Sequence, residues 1–219
     1  MVSVMKGSAM HLKLPLRLLL LPLLAALAVL VVILGAGAWE ERAWAAERPV
    51  MVKLETSLGD IVLELYPDKS PVTVENFVQY VKDGFYDGTI FHRVIKNFMV
   101  QGGGLDDQMN QKATRPPIKN EADNGLANEP YTIAMARTAA PNSATSQFFI
   151  NVANNRNLNH SGKSPANWGY AVFGKVVQGK EVVDKIKAVP TTSKGFYADV
   201  PVEPVIITHA TVLAEESEG

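Results

Sequence analysis

The sequence predicts a mainly β domain, a sandwich or a closed barrel, with two helices packed on it. Three observations predict it. Short apolar runs with strand-like alternation recur from Val50 to Leu213, only two stretches carry helical spacing, and the connections are rich in Gly, Asn, Asp and Pro. Periodicity alone does not choose between sandwich and barrel. Of 219 residues, 47% are apolar, enough for one domain with a sizeable core.

The N-terminal 45 residues read as a separate unit. Lys6, Lys13 and Arg17 precede an uncharged run from Leu18 to Ala38, followed by Glu40-Glu41-Arg42 and Ala43-Trp44-Ala45. Positive residues, an apolar stretch and an A-x-A triplet make an export signal cut after Ala45. The run is also long enough to span a bilayer, which takes about 20 apolar residues, so an uncleaved anchor through residues 18–38 is the alternative. Both readings put the rest of the chain outside the cytoplasm, because the positive end stays inside. Residues 46–49 form a linker, 50–214 the domain and 215–219 a polar tail.

Within the domain the elements follow in order. Val52 and Leu54 alternate with polar neighbours, Ser57-Leu58-Gly59-Asp60 reads as a turn, and Ile61, Leu63 and Leu65 share one strand face, which makes a hairpin. Ser70-Pro71 opens a helix with Ser as cap and Pro at the first helical position. Val74, Phe77, Val78 and Val81 form its apolar stripe and Gly84 ends it. Strands are expected at Thr89–Val94, Phe98–Gln101, Thr132–Met135, Phe148–Val152, Ala171–Val177 and Val205–Leu213, and a second helix near Lys180–Lys187. Residues 102–130 and 153–169 read as long loops, where function concentrates.

Several chemistries are excluded or unsupported. Cysteine is absent, which removes disulfides, thiolate metal sites and cysteine nucleophiles. His92, His160 and His209 fall in different elements without the spacing of a zinc site, so neither metal nor cofactor is expected. Gly102-Gly103-Gly104 is no phosphate loop, since no Lys-Ser/Thr follows; a turn needing positive φ is the reading. The net charge is −1, and without residues 1–45 there remain 17 basic and 20 acidic residues, a mild −3. No basic stripe suggests nucleic acid, and nothing suggests an oligomer, so a monomer is expected.

What remains is a set of segments: Phe91-His92-Arg93-Val94, Phe98-Met99-Val100-Gln101, Ala134-Met135-Ala136-Arg137 and Ser146-Gln147-Phe148-Phe149. Taken alone they have plain readings. Arg93 among strand residues is a structural arginine held by Gln101 or a carboxylate. Phe98, Met99 and Phe149 are core packing, and His92 is a buried, satisfied histidine.

Together with NEADNGLANEPYTIAMAR and WGYAVFGKVVQGKEVVDKI, these segments resemble a cyclophilin-type peptidyl-prolyl isomerase, in particular the periplasmic form of Gram-negative bacteria. The resemblance runs from about Val50 to Leu213. It implies a closed eight-stranded antiparallel barrel capped by two helices, with the substrate groove on its outside. It implies Arg93 as the catalytic arginine, working with Phe98, Gln101 and Phe149. The substrate-binding set would be His92, Met99, Ala136, Arg137, Gln147, Leu158 and Tyr170. Tyr170 stands where many relatives carry a pocket histidine. Asn157 stands where animal members carry a tryptophan on which high cyclosporin affinity leans, so that affinity is not expected here.

The implied reaction suits these residue types. Rotation about an X–Pro bond meets a barrier of about 18–20 kcal/mol from amide resonance. In the twisted state the proline nitrogen regains its lone pair, and a fixed guanidinium can donate to it. Gln101 would hold that guanidinium, while the apolar side chains grip the ring and exclude water. The expected partners are proline-containing, unfolded or extended polypeptides of the exported set. The alternative is a chaperone module that holds such chains with weak or incidental catalysis.

Overall fold

The computed structural model describes residues 49–214. The expected export signal or anchor, most of the expected linker and the polar tail lie outside the described residues. Eight antiparallel strands form one sheet: β1 (Val50–Thr56), β2 (Gly59–Leu65), β3 (Thr89–Ile95), β4 (Met99–Asp106), β5 (Thr132–Met135), β6 (Phe148–Asn151), β7 (Val172–Gln178) and β10 (Ile207–Val212). A separate hairpin joins β8 (Thr191–Lys194) to β9 (Tyr197–Pro201), and the helices are α1 (Pro71–Lys82) and α2 (Lys180–Ile186).

The strand order is β10-β1-β2-β7-β5-β6-β4-β3. Its two ends meet. Ile90 bridges Ile206, the Phe91 N–H donates to the Val205 carbonyl at 2.9 Å, and the Gly88 N–H donates to that of Ile207 at 2.9 Å. The sheet is therefore a nearly closed barrel, which removes most of its exposed edge.

Alternation decides what fills it. Val52, Leu54, Leu63, Leu65, Val100, Ile133, Phe148, Ile150 and Phe173 belong to the main buried cluster. The α1 stripe joins that cluster through Val74, Phe77 and Val81, and α2 joins it through Val182, Val183 and Ile186. Phe77, Tyr86 and Phe148 stack at 5.1–5.5 Å between ring centroids, mostly edge-to-face. Each such ring contributes about 1.5–3 kcal/mol by burial alone.

Two local expectations change, and one element is added. Ser70 does not cap α1 with its side chain; its hydroxyl donates to the Val172 carbonyl at 2.9 Å. The free N–H groups of the first turn go instead to the Glu121 carboxylate, from Val72 at 3.2 Å and Thr73 at 2.9 Å. A carboxylate at a helix N-terminus satisfies orphan donors and meets the favourable end of the dipole. The glycine triplet is part of β4 rather than a turn. Gly103 does have φ of +78°, but the triplet is also needed for space: a Cβ on Gly103 would sit 2.7 Å from the Phe148 ring, and one on Gly104 would sit 2.4 Å from Gln147 Cγ. Residues 191–201, to which the sequence assigned no element, form the β8–β9 hairpin; the alternation there is polar and short.

Candidate active site

Because successive strand residues face opposite sides, the neighbours of core residues form a second row on the outside of the barrel. Arg93 on β3 is paired in register with Gln101 on β4, Gln101 with Phe149 on β6, and Phe149 with Ala134 on β5. Four adjacent strands thus contribute one residue each to a transverse line, spaced at about 4.8 Å per strand. An outer barrel face is ordinarily polar. Here Met99, Ala134, Phe149 and Val172 form a second buried apolar cluster, flanked by Phe98, Leu126, Ala136, Leu158 and Tyr170.

This outer cluster floors a groove of about 290 Å³. Arg93, Phe98, Met99, Gln101, Phe149 and Leu158 line it, with Ala136, Arg137 and Tyr170 along the remaining wall. Nine of the eleven residues expected at the site are therefore brought together. Gln147 stands just behind, accepting a hydrogen bond from Gln101 Nε2 at 2.9 Å. Phe149 and Tyr170 meet edge-to-face at 5.7 Å.

His92 does not line the groove. Its ring is buried with Nδ1 unpartnered and packs edge-on to Tyr197 at 6.5 Å. Burial lowers its pKa to about 4, and the adjacent Arg93 charge acts in the same direction. The residue is an uncharged histidine pinned between β3 and the β8–β9 hairpin, so its expected place against substrate is corrected.

Arg93 reaches the groove with 43% of its side chain exposed. Its guanidinium is not hydrogen-bonded to Gln101, whose amide is engaged by Gln147. The charge partner is Asp199 on β9, with Nε to Oδ2 at 3.8 Å. Asp199 has φ of +60°, a left-handed conformation unusual outside glycine. Sequence reasoning missed this residue, because the hairpin carries no strong alternation and nothing local links positions 93 and 199.

A buried asparagine network, also missed, holds the far wall. Asn155 Nδ2 donates to the Phe98 carbonyl at 2.8 Å, and the Asn155 carbonyl accepts the Leu158 N–H at 2.9 Å. The Asn155 N–H donates to the Asn128 carbonyl at 2.8 Å, and Asn151 Nδ2 donates to Asn128 Oδ1 at 3.1 Å. One side chain thereby ties together the two loops that present Phe98 and Leu158. Asn157, in the 3-10 turn Arg156–Leu158, is exposed and does not line the groove, and neither does Trp168.

Comparison with known proteins gives the family of this fold. The family model for cyclophilin type peptidyl-prolyl cis-trans isomerase/CLD matches residues 51–212. Peptidyl-prolyl cis-trans isomerase cyp18 of Streptomyces antibioticus is 60% identical over 162 residues, 74% of this chain and 98% of its own. Peptidyl-prolyl cis-trans isomerase B of Escherichia coli K12 is 59% identical over 162 residues, 74% of this chain and 99% of its own. A crystal structure of a cyclophilin type isomerase from Cryptosporidium parvum, obtained in the presence of the dipeptide Ala-Pro, matches with a TM-score of 0.64 at 26% identity. That match covers 75% of this chain and 99% of the other. With a nearly closed eight-stranded barrel, two helices and this breadth of identity, the chain belongs to the cyclophilin-type peptidyl-prolyl cis-trans isomerases and is an enzyme of that class.

Proposed function

We propose that the enzyme accelerates X–Pro rotation in exported polypeptides, with Arg93 stabilising the twisted imide over an apolar proline slot. The observation that carries this reading is the register line Arg93–Gln101–Phe149 across the outer barrel face. It sets the backbone positions of a cation and of an aromatic floor about two strand spacings, roughly 10 Å, apart. A proline ring seated on Phe98, Met99 and Phe149 would lie within reach of the guanidinium. The Ala-Pro dipeptide used with the Cryptosporidium relative supports a proline-containing ligand for this groove.

No bond breaks in the reaction, so the protein needs only to favour the perpendicular state. The ring is held by the apolar floor while the preceding carbonyl swings. Arg93 donates to the proline nitrogen as its lone pair localises, a charge that exists only near the transition state. Asp199 aims the guanidinium from the hairpin side, and the Gln101–Gln147 pair forms the polar wall. The N-terminal segment supports action outside the cytoplasm, as a cleaved signal or an anchor; N-terminal sequencing of the mature protein distinguishes Ala46 from an intact start.

Arg93→Ala is expected to lower kcat/KM on a proline peptide by about 10²–10³. Its melting temperature should stay close to the parent's, because the side chain is part-exposed. A variant that keeps near-parental rates removes Arg93 from the mechanism. If Arg93→Ala is inactive yet suppresses client aggregation as well as the parent does, binding and catalysis are separable functions of one groove.

A further inference from the structure

The groove holds two guanidinium groups, and they are not equivalent. Arg93 has a carboxylate, Asp199, within 3.8 Å. Arg137 has none. Its Nε donates to the Gly169 carbonyl at 2.8 Å and its Nη1 to the Thr138 carbonyl at 2.9 Å, with longer contacts to the carbonyls of Ala139 and Pro165 at 3.4 Å. It also lies over the Tyr170 ring, 4.6 Å from the centroid. These partners fix the position of the guanidinium without cancelling its charge. Among the described residues no Asp or Glu pairs with Arg137, and none lines the groove.

We infer that Arg137 is a specificity-determining residue that makes the groove favour peptides with Asp or Glu beside the proline and disfavour those with Lys or Arg there. The inference rests on the reading of this groove as the proline site. A held charge at a groove wall acts on any peptide side chain passing it, and low-dielectric walls such as Phe149, Tyr170 and Leu158 weaken its screening. Arg93 adds little to this bias, because Asp199 offsets its charge.

A purely structural role for Arg137, tying the end of β5 to the loop before β7, makes a different forecast. Loss of such a tie slows every peptide alike. Loss of a selecting charge changes the ratio between acidic and basic peptides.

The test is direct exchange spectroscopy of Xaa-Pro peptides with Glu, Gln or Lys before the proline, and a second set with the same residues after it. The expected result is a Glu over Lys preference in kcat/KM of about three- to tenfold in one or both sets, at an ionic strength near 0.01 M where the screening length is about 30 Å. Arg137→Gln should reduce that ratio to below about twofold, as should salt near 0.5 M. Arg137→Lys, which keeps the charge, should retain the direction of the preference. An equal rate for Glu and Lys peptides in both sets overturns the inference, and so does an unchanged ratio in Arg137→Gln. Arg93→Ala measured alongside separates the two claims. If it remains fully active, the reading of the groove fails; if it is inactive while the charge ratio is flat, only the role of Arg137 fails.

Discussion

At the scale of single residues, the role proposed for Arg93 requires a guanidinium that is neither buried nor free. Full burial would hide it from a peptide, and full exposure would let it wander through its rotamers. The pair with Asp199 restrains it from the hairpin side at 3.8 Å. Both side chains are about two-fifths exposed, so the pair contributes at most about 1 kcal/mol to folding. The role proposed for it is to aim the cation. Asp199→Asn is therefore expected to lower kcat several-fold with KM and melting temperature nearly unchanged, as steady-state kinetics and a thermal melt would record. An Asp199→Asn variant with parental kcat would mean that the guanidinium is positioned without it. Neither the Asp199 contact nor the Asn155 bond to the Phe98 carbonyl was legible in the sequence. Both join positions far apart in the chain, and polar loop residues carry no periodicity that would betray a partner. The expected Arg93–Gln101 bond failed for a related reason. Register does place the two side by side, but Gln101 turns its Nε2 to Gln147, and the guanidinium, which can only donate, has the carboxylate of Asp199 as its partner instead.

At the scale of elements, β6 shows how a strand serves two masters. Phe148 points into the barrel against Phe77 and Tyr86, and Phe149, one residue on, belongs to the outer cluster under the groove. Phe148→Ala should destabilise the fold by about 3–5 kcal/mol without altering the groove floor. Phe149→Ala should cost less, about 3 kcal/mol, because its cluster opens to the groove, but it should raise KM at least tenfold in peptide kinetics. Equal KM values for the two variants would contradict the assignment of Phe149 to substrate. Most elements could be read directly, since hairpin alternation, the Ser70-Pro71 helix start and the α2 stripe are local signals. The β8–β9 hairpin could not. Its residues are largely exposed, with Phe196 fully so, and an exposed two-stranded ribbon lacks the apolar alternation that marks a strand.

At the scale of the whole molecule, barrel closure puts the core inside and the candidate site outside, so the same alternation that builds the fold builds the groove. The choice of barrel over sandwich was not in the periodicity; it follows from the β3–β10 contacts that close the sheet. The fold also carries a built-in acid sensitivity. His92 is buried, and its pKa is lowered from the model-peptide value of 6.5 to about 4. The unfolded chain thus binds a proton on this residue before the folded one does. The contribution of His92 to stability is expected to be intact above about pH 6.5, to fall as pH drops from there and to level off below about 4, with a total loss of about 3 kcal/mol. His92→Phe should flatten that part of the curve in denaturant titrations at stepped pH. A parent curve without the decline, or one that His92→Phe leaves intact, would show that the ring is not held neutral.

The central claim is that Arg93 acts on the rotation itself and not on peptide capture. The most direct measurement is the exchange rate of an X–Pro peptide bound at saturation to Arg93→Ala, followed with the backbone resonances of Gln101 and Phe149. The account predicts that those resonances still shift on binding while exchange of the bound peptide slows by about 10²–10³. Bound-state exchange at the parental rate would contradict it.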